Sequence, residues 1–314
     1  MIIPILICVL TDLHFKTGSN YSYLLPSIQP CEMIVVNGDM VDFDIVPGCP
    51  ESPECDMATN FMIDFATNMN KSFMFTLGNH DSIEGSNKTF ASSVLGKHPL
   101  HVGTCNAGYT SCIHKELKIA TLYSGDYQCS SGSDYGCPTV SDANYINNEL
   151  SSINLLFTHI PPPAADNVQY TGIKADHVCG STYTCSWAEK EGVLPSIPTK
   201  MHFYGHDHNN LYIGKNGNTQ YVSLLKSGTN GYGPCFSNNE AGYTTIYTDQ
   251  ISFHLFNSTT LDINHIPYED CKQVASIEGQ IVWIVIVILG ILTLTLISLK
   301  MRNIYSTTYR YNAI

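Results

Sequence analysis

The feature that most limits how this chain can fold is a repeated pairing of a short apolar run with a stretch bearing aspartate or histidine. Ile5 to Leu10 runs into Asp12-Leu13-His14, and Met33 to Val36 runs into Gly38-Asp39. Phe73 to Leu77 precedes Gly78-Asn79-His80-Asp81, and Ile153 to Phe157 precedes Thr158-His159. Met201 to Tyr204 precedes Gly205-His206-Asp207-His208. Short apolar runs of this kind predict buried strands. Strands of a sheet deliver the loops that follow them to one edge, so side chains far apart in sequence meet there.

The rest of residues 1–257 fits a mixed α/β domain of two stacked sheets with helices outside. Met57 to Asn70 has helical apolar spacing, and Val140 to Leu150 predicts a second helix. Strands followed by helices early in the chain suggest βαβ units. Gln220 to Leu225, Tyr243 to Tyr247 and Ile251 to Phe256 have no helices between them and read as an antiparallel set.

Charge and cysteine content bear on compartment and partners. The formal net charge is -12 with 13% charged residues, which leaves no basic stripe for a nucleic-acid backbone. Residues 281–299 carry no charge and, as a helix, span roughly 28 Å, the hydrocarbon thickness of a bilayer. Glu269, Asp270 and Glu278 precede this stretch, and Lys300, Arg302 and Arg310 follow it. The asymmetry predicts a stalk at 258–280, a transmembrane helix at 281–299 and a cytoplasmic tail at 300–314, with the large domain extracellular or lumenal. Of the 12 cysteines, Cys49 and Cys55, Cys105 and Cys112, Cys129 and Cys137, and Cys179 and Cys185 are spaced as small disulfide loops, while Cys8 reads as a buried thiol. Sequons at Asn20, Asn70, Asn87 and Asn257 suit the same side of a membrane. Against this, Met1 to Leu10 is apolar, lacks a basic start and runs straight into Asp12, so cleaving it would remove the first strand. A signal further upstream, a retained segment and a tail-anchored protein with a cytosolic domain all remain open. The terminal Tyr311-Asn312-Ala313-Ile314 is similar to tyrosine-based endosomal sorting signals.

Aspartate and histidine together bind first-row metals through oxygen and imidazole nitrogen. Gly-Asn-His-Asp and Gly-His-Asp-His are the most specific of the five segments, and all five in order resemble the calcineurin-like metallophosphoesterase superfamily over most of residues 4–257. That resemblance implies a four-layer α/β/β/α sandwich and two divalent or trivalent metal ions, of iron, manganese or zinc. It implies a first metal held by Asp12, His14, Asp39 and His208, and a second held by Asp39, Asn79, His159 and His206, with Asp39 shared. His80 would then serve as general acid, with Asp81 orienting it. Water activated between the metals would hydrolyse a phosphate monoester. Cys185-Ser186-Trp187, His208-Asn209-Asn210 and Gly231-Tyr232-Gly233 are similar to phosphatases of the purple-acid-phosphatase-like type. Here the position of that type's tyrosine ligand holds Asp42, and the position of its glycine holds His14, so a tyrosine-to-iron colour is not expected. The alternatives are a phosphodiesterase of the sphingomyelinase-like branch and a silent surface glycoprotein that uses the fold for binding. His177 and His202 are further candidates for the substrate side, as are Asn230 and Tyr232. Pro161-Pro162-Pro163 is expected to stiffen the loop after His159.

Overall fold

The computed structural model describes residues 5–15, 20–41, 53–81, 88–125, 136–173, 197–208, 210–228, 241–248, 250–256 and 259–264. The span at 281–299, the stalk beyond 264 and the tail lie outside these residues, as do Asp42, His177, Asn230, Tyr232 and Cys49, Cys129, Cys179 and Cys185. Among the described residues, no helix is long and apolar enough to cross a membrane.

Among the described residues, fourteen strands form two mixed sheets. In chain order they are β1 (Leu6–Leu10), β2 (Met33–Asn37), β3 (Ser72–Thr76), β4 (Thr104–Cys105), β5 (Ser111–His114), β6 (Ile119–Leu122) and β7 (Leu155–Thr158). There follow β8 (Gln169–Ile173), β9 (Met201–Tyr204), β10 (Leu211–Asn216), β11 (Thr219–Ser223), β12 (Gly242–Tyr247), β13 (Gln250–Leu255) and β14 (Thr260–Leu261). The first sheet has the order β14-β13-β12-β1-β2-β3, and the second β4-β5-β6-β7-β9-β11-β10-β8.

The apolar runs take the inner, parallel positions. β1, β2 and β3 pair in parallel, with Val9 opposite Val35 and Val35 opposite Met74. β6, β7, β9 and β11 do the same in the second sheet. Strands covered on both faces need apolar residues at every position, which is why these segments lack polar alternation. β12, flanking β1 in antiparallel register, does alternate between buried and partly exposed positions.

Helices supply part of the cover. α1 (Leu24–Ile28) and α2 (Pro53–Met69) place Leu24, Ile28, Met62, Phe65 and Met69 against Leu10, Ile34, Val36, Phe73 and Phe75 of the first sheet. After α3 (Lys88–Gly96), α4 (Val140–Asn147) lays Ile146 on Ile113, Ala120 and Leu122 of the second. α4 begins where it does because Thr139 is extended and its hydroxyl accepts from the Asp142 N–H at 3.0 Å. Asp142 in turn accepts from Asn106 Nδ2 at 2.6 Å and Ser111 Oγ at 2.9 Å, which fastens the helix to the β4–β5 hairpin.

Three expectations change. β11, covering most of Gln220 to Leu225, does not join β12 and β13 as an antiparallel set: it lies in the other sheet, parallel to β9 and antiparallel to β10. The second helix stops at Asn147 and gives way to a 3-10 turn at Leu150–Ser152. Cys8 is not a free thiol; it is disulfide-bonded to Cys31 at the start of β2, while Cys105 and Cys112 pair as their spacing suggested. The short strands β4, β5, β6, β8 and β10 were not foreseen.

His202 on β9 is fully buried, not on a substrate-facing surface, with Nε2 2.9 Å from Thr158 Oγ1 and its ring among those of Tyr204 and Tyr221. Burial lowers its pKa from 6.5 to about 3, and burial lowers that of His101 to about 4. Below pH 6.5 the unfolded chain therefore takes up protons that the folded chain refuses, so acidification favours unfolding by roughly 1.4 kcal/mol per pH unit per histidine. Denaturant titrations of the metal-free protein between pH 6.5 and 4.5 should show this loss, and His202→Leu should make the slope shallower by about one proton.

Candidate metal centre

The loops after β1, β2, β3, β7 and β9 carry the residues singled out from sequence, and they meet where the ends of the two sheets approach each other. Two groups of donors form there: Asp12, His14, Asp39 and His208, and Asp39, His159 and His206, with all ligand atoms within 4.8 Å of one another in each group. Asp39 belongs to both. Asn79 joins the second group, its Oδ1 3.1 Å from His159 Nε2.

The backbone is strained to achieve this. Asp12 has φ 53°, His14 46°, Asp39 48° and His206 68°. Left-handed conformations are uncommon outside glycine, and aspartate and histidine are among the residues that tolerate them. On these loops Asp12 and His14, like His206 and His208, reach the donor groups, while Leu13 between the first two enters the core. Gly38, with φ 82°, lies against the His159 imidazole, where an added Cβ would collide with the ring. Gly78 similarly lies against the Asp39 carboxylate.

Burial makes the charges interdependent. Asp12 and Asp39 are 2% and 1% exposed. Burial opposes their ionisation, but His208 hydrogen-bonded to Asp12 and His159 beside Asp39 reverse the balance and hold both carboxyls well below the usual range. Burial likewise works against a charged His159. The Asp39 carboxylate, with Oδ2 2.9 Å from Nε2, outweighs it and raises the imidazole to about 9. His14 and His206 go the other way, lowered mainly by burial to about 4 and about 3. His14 Nε2 and His208 Nε2 lie 3.0 Å apart, with Asp12 Oδ1 3.2 Å from the latter and Asp39 Oδ2 3.5 Å from the former.

Neighbouring residues hold these groups in place. His159 Nδ1 lies 3.0 Å from the Asn37 carbonyl, an acceptor, so that nitrogen carries the proton and Nε2 faces the carboxylates. The His206 N–H donates to Asp12 Oδ1 at 3.0 Å, and the His80 N–H donates to Asp39 Oδ1 at 2.9 Å. The partly buried His80 ring sits edge-on to His14, with centroids 4.8 Å apart. Asp81, fully buried, accepts from the N–H groups of Gly78 at 2.9 Å and Val41 at 3.0 Å, and so clasps two of the loops together. Burial and the nearby Asp39 charge raise it to about 7. Asp207 accepts from the side chain of Asn210 and closes the turn that carries His208.

Four further residues of the centre carry no pattern in the sequence. Thr11 donates its hydroxyl toward Asp12 Oδ2 at 2.7 Å, and Asn37 supports His159. Lys226 is 1% exposed, near enough to His208 to oppose its protonation, and Ser227 Oγ accepts from the Thr11 N–H at 3.1 Å. Pro162 is extended, as expected of the proline run, and Pro163–Ala165 then forms a 3-10 turn.

The donor set is all nitrogen and carboxyl or amide oxygen, the set that suits paired first-row cations. The residues fit such a pair: seven side chains converge as two groups that share one carboxylate. The sequence profile of the calcineurin-like phosphoesterases matches residues 5–210, which include all five segments, and the chain belongs to that family of metal-dependent phosphoesterases with a dinuclear metal site. No curated protein sequence matches the chain. Among solved structures it is similar in fold to a dimetal phosphatase from Danio rerio, with a TM-score of 0.49 and 12% identity, covering 79% of this chain and 95% of that one. It is also similar to a metallophosphoesterase from Sphaerobacter thermophilus, with a TM-score of 0.36 and 12% identity over 88% and 94% of the respective chains. A Vps29 single mutant from Entamoeba histolytica gives 0.34 and 10% over 80% and 92%.

Gly38→Ala is expected to lower stability by about 2 kcal/mol or more, because it combines a left-handed β-carbon with a clash against His159. Chemical denaturation of the metal-free protein measures it.

Proposed function

We propose that the chain hydrolyses phosphate monoesters with two metal ions, the first on Asp12, His14, Asp39 and His208 and the second on Asp39, Asn79, His159 and His206. The observation that carries this reading is the pair of donor groups joined through the buried Asp39 carboxylate. Bound cations supply polarisation of the phosphoryl oxygens and a more acidic water. The protein's own part is to hold the donors rigid and to bring a proton to the leaving group. His80 lies beside His14 at the rim, partly open, and is the residue assigned to protonate the departing ester oxygen. Asp81 ties the loop after β3 to the loop after β2 and so sets where His80 starts from.

Three predictions test the assignment. His80→Ala should keep both metals by elemental analysis and lose about 10²–10⁴-fold in kcat on an alkyl phosphate. Asp39→Asn should lose at least one metal equivalent, and retention of two would contradict the shared ligand. A chelator should abolish hydrolysis and lower the melting temperature, with recovery on adding back manganese, zinc or iron. Faster cleavage of bis-p-nitrophenyl phosphate than of the monoester would assign a phosphodiesterase instead.

The location that suits the chain is a single-pass membrane protein with the catalytic domain outside the cytosol. The uncharged residues 281–299, the flanking charge asymmetry and the disulfides Cys8–Cys31 and Cys105–Cys112 support it. Asn20 and Asn70 are exposed, as glycan acceptors must be. Protease protection of the domain in sealed microsomes, with an accessible tail, is the expected result.

A further inference from the structure

Residues 37–39 form a cradle around His159. The Asn37 carbonyl accepts from Nδ1 at 3.0 Å, Gly38 lies against the ring, and Asp39 Oδ2 is 2.9 Å from Nε2. The Asn37 side chain adds a second bond: its Nδ2 donates to the Thr158 carbonyl at 2.8 Å. Asn37 ends β2 and Thr158 ends β7, which belong to different sheets, so no ladder hydrogen bond sets their spacing. The amide is fully buried, and among the described residues its Oδ1 meets no hydrogen-bond donor. A buried polar atom left without a partner costs stability. A side chain serving stability alone would be apolar here, as Ile34, Val35 and Val36 before it are.

We infer that Asn37 is a positioning residue for the second cation: its amide draws the end of β7 onto the end of β2, so that His159 stands with Nδ1 on the Asn37 carbonyl and Nε2 toward Asp39. The network extends to the first donor group, because the Thr11 hydroxyl lies 2.9 Å from the same carbonyl and 2.7 Å from Asp12 Oδ2. Asn37 thus sits between Asp12, on the first sheet's side, and His159, on the second's. The inference rests on the two-metal assignment above and concerns how one half of that centre is held.

The test titrates the full-length metal-free protein with Mn²⁺, reading free ion and the spin-coupled pair by electron paramagnetic resonance. The wild type should take up two equivalents with a coupled signal. Failure to do so removes the two-metal reading itself, before any variant is made. In Asn37→Leu, which keeps the branched shape without the donor, one equivalent should weaken by about 10- to 100-fold while the other stays within about threefold, and the coupled signal should fall accordingly. The metal-free melting temperature should stay close to wild type. Asn37→Ala should reproduce the selective loss. Two unchanged equivalents would overturn the inference, as would equal weakening of both in step with a lower melting temperature, the mark of a purely structural role. Should both variants fail to fold, the wild type still decides. Its His159 Nδ1–H must appear in proton NMR as a slowly exchanging resonance, and a rapidly exchanging one overturns the inference.

Discussion

A carboxylate almost wholly removed from water persists as an anion only where enough positive charge and enough donors surround it, and Asp39 imposes that condition on everything near it. His159 answers with a charged imidazole in the metal-free state, and the His80 main-chain N–H answers at the other oxygen. Neither is a passive neighbour. The positive charge that His159 sets against Asp39 already organises the pocket around a cationic group.

This organisation is local strain carried by a well-packed frame. Holding aspartate and histidine in left-handed backbone costs roughly 1–3 kcal/mol per residue. Burying Phe65, Phe73, Phe75, Phe157 or Phe203 contributes roughly 1.5–3 kcal/mol each. The apolar strands are thus more than scaffolding by default. Their surplus keeps four unfavourable residues in place, and those residues aim the donors.

Much of the centre was legible because its parts are short, ordered and each attached to a strand. The five segments could be found from apolar runs and motif composition, and the family resemblance then singled out Asp12, His14, Asp39, Asn79, His159, His206 and His208 within them. Asn37, Thr11 and Lys226 could not, since a single polar residue at a strand end carries no pattern; only the distance to Thr158, Asp12 or His208 gives it meaning. The inner parallel strands were readable for the same reason that the edges were not. β4, β8 and β10 mix polar residues and glycine with few apolar ones, and their pairing is decided by neighbours distant in sequence. β11 shows the point most clearly: its residues announce a strand, but its sheet is fixed by contact with β9 and β10. Cys8 found its partner just before the neighbouring strand β2, where spacing has nothing to say.

The place of β12 has a consequence for how the chain is made. β1, which leads into Asp12 and His14, is flanked on one side by β2 and on the other by β12, formed from residues 242–247. During synthesis the amino-terminal strand leaves the ribosome with one edge bare and must wait for more than two hundred further residues before that edge is closed. A fragment ending at residue 210 contains all seven donors yet leaves that edge open to pairing with other chains. β12, which closes that edge, contributes none of the seven donors.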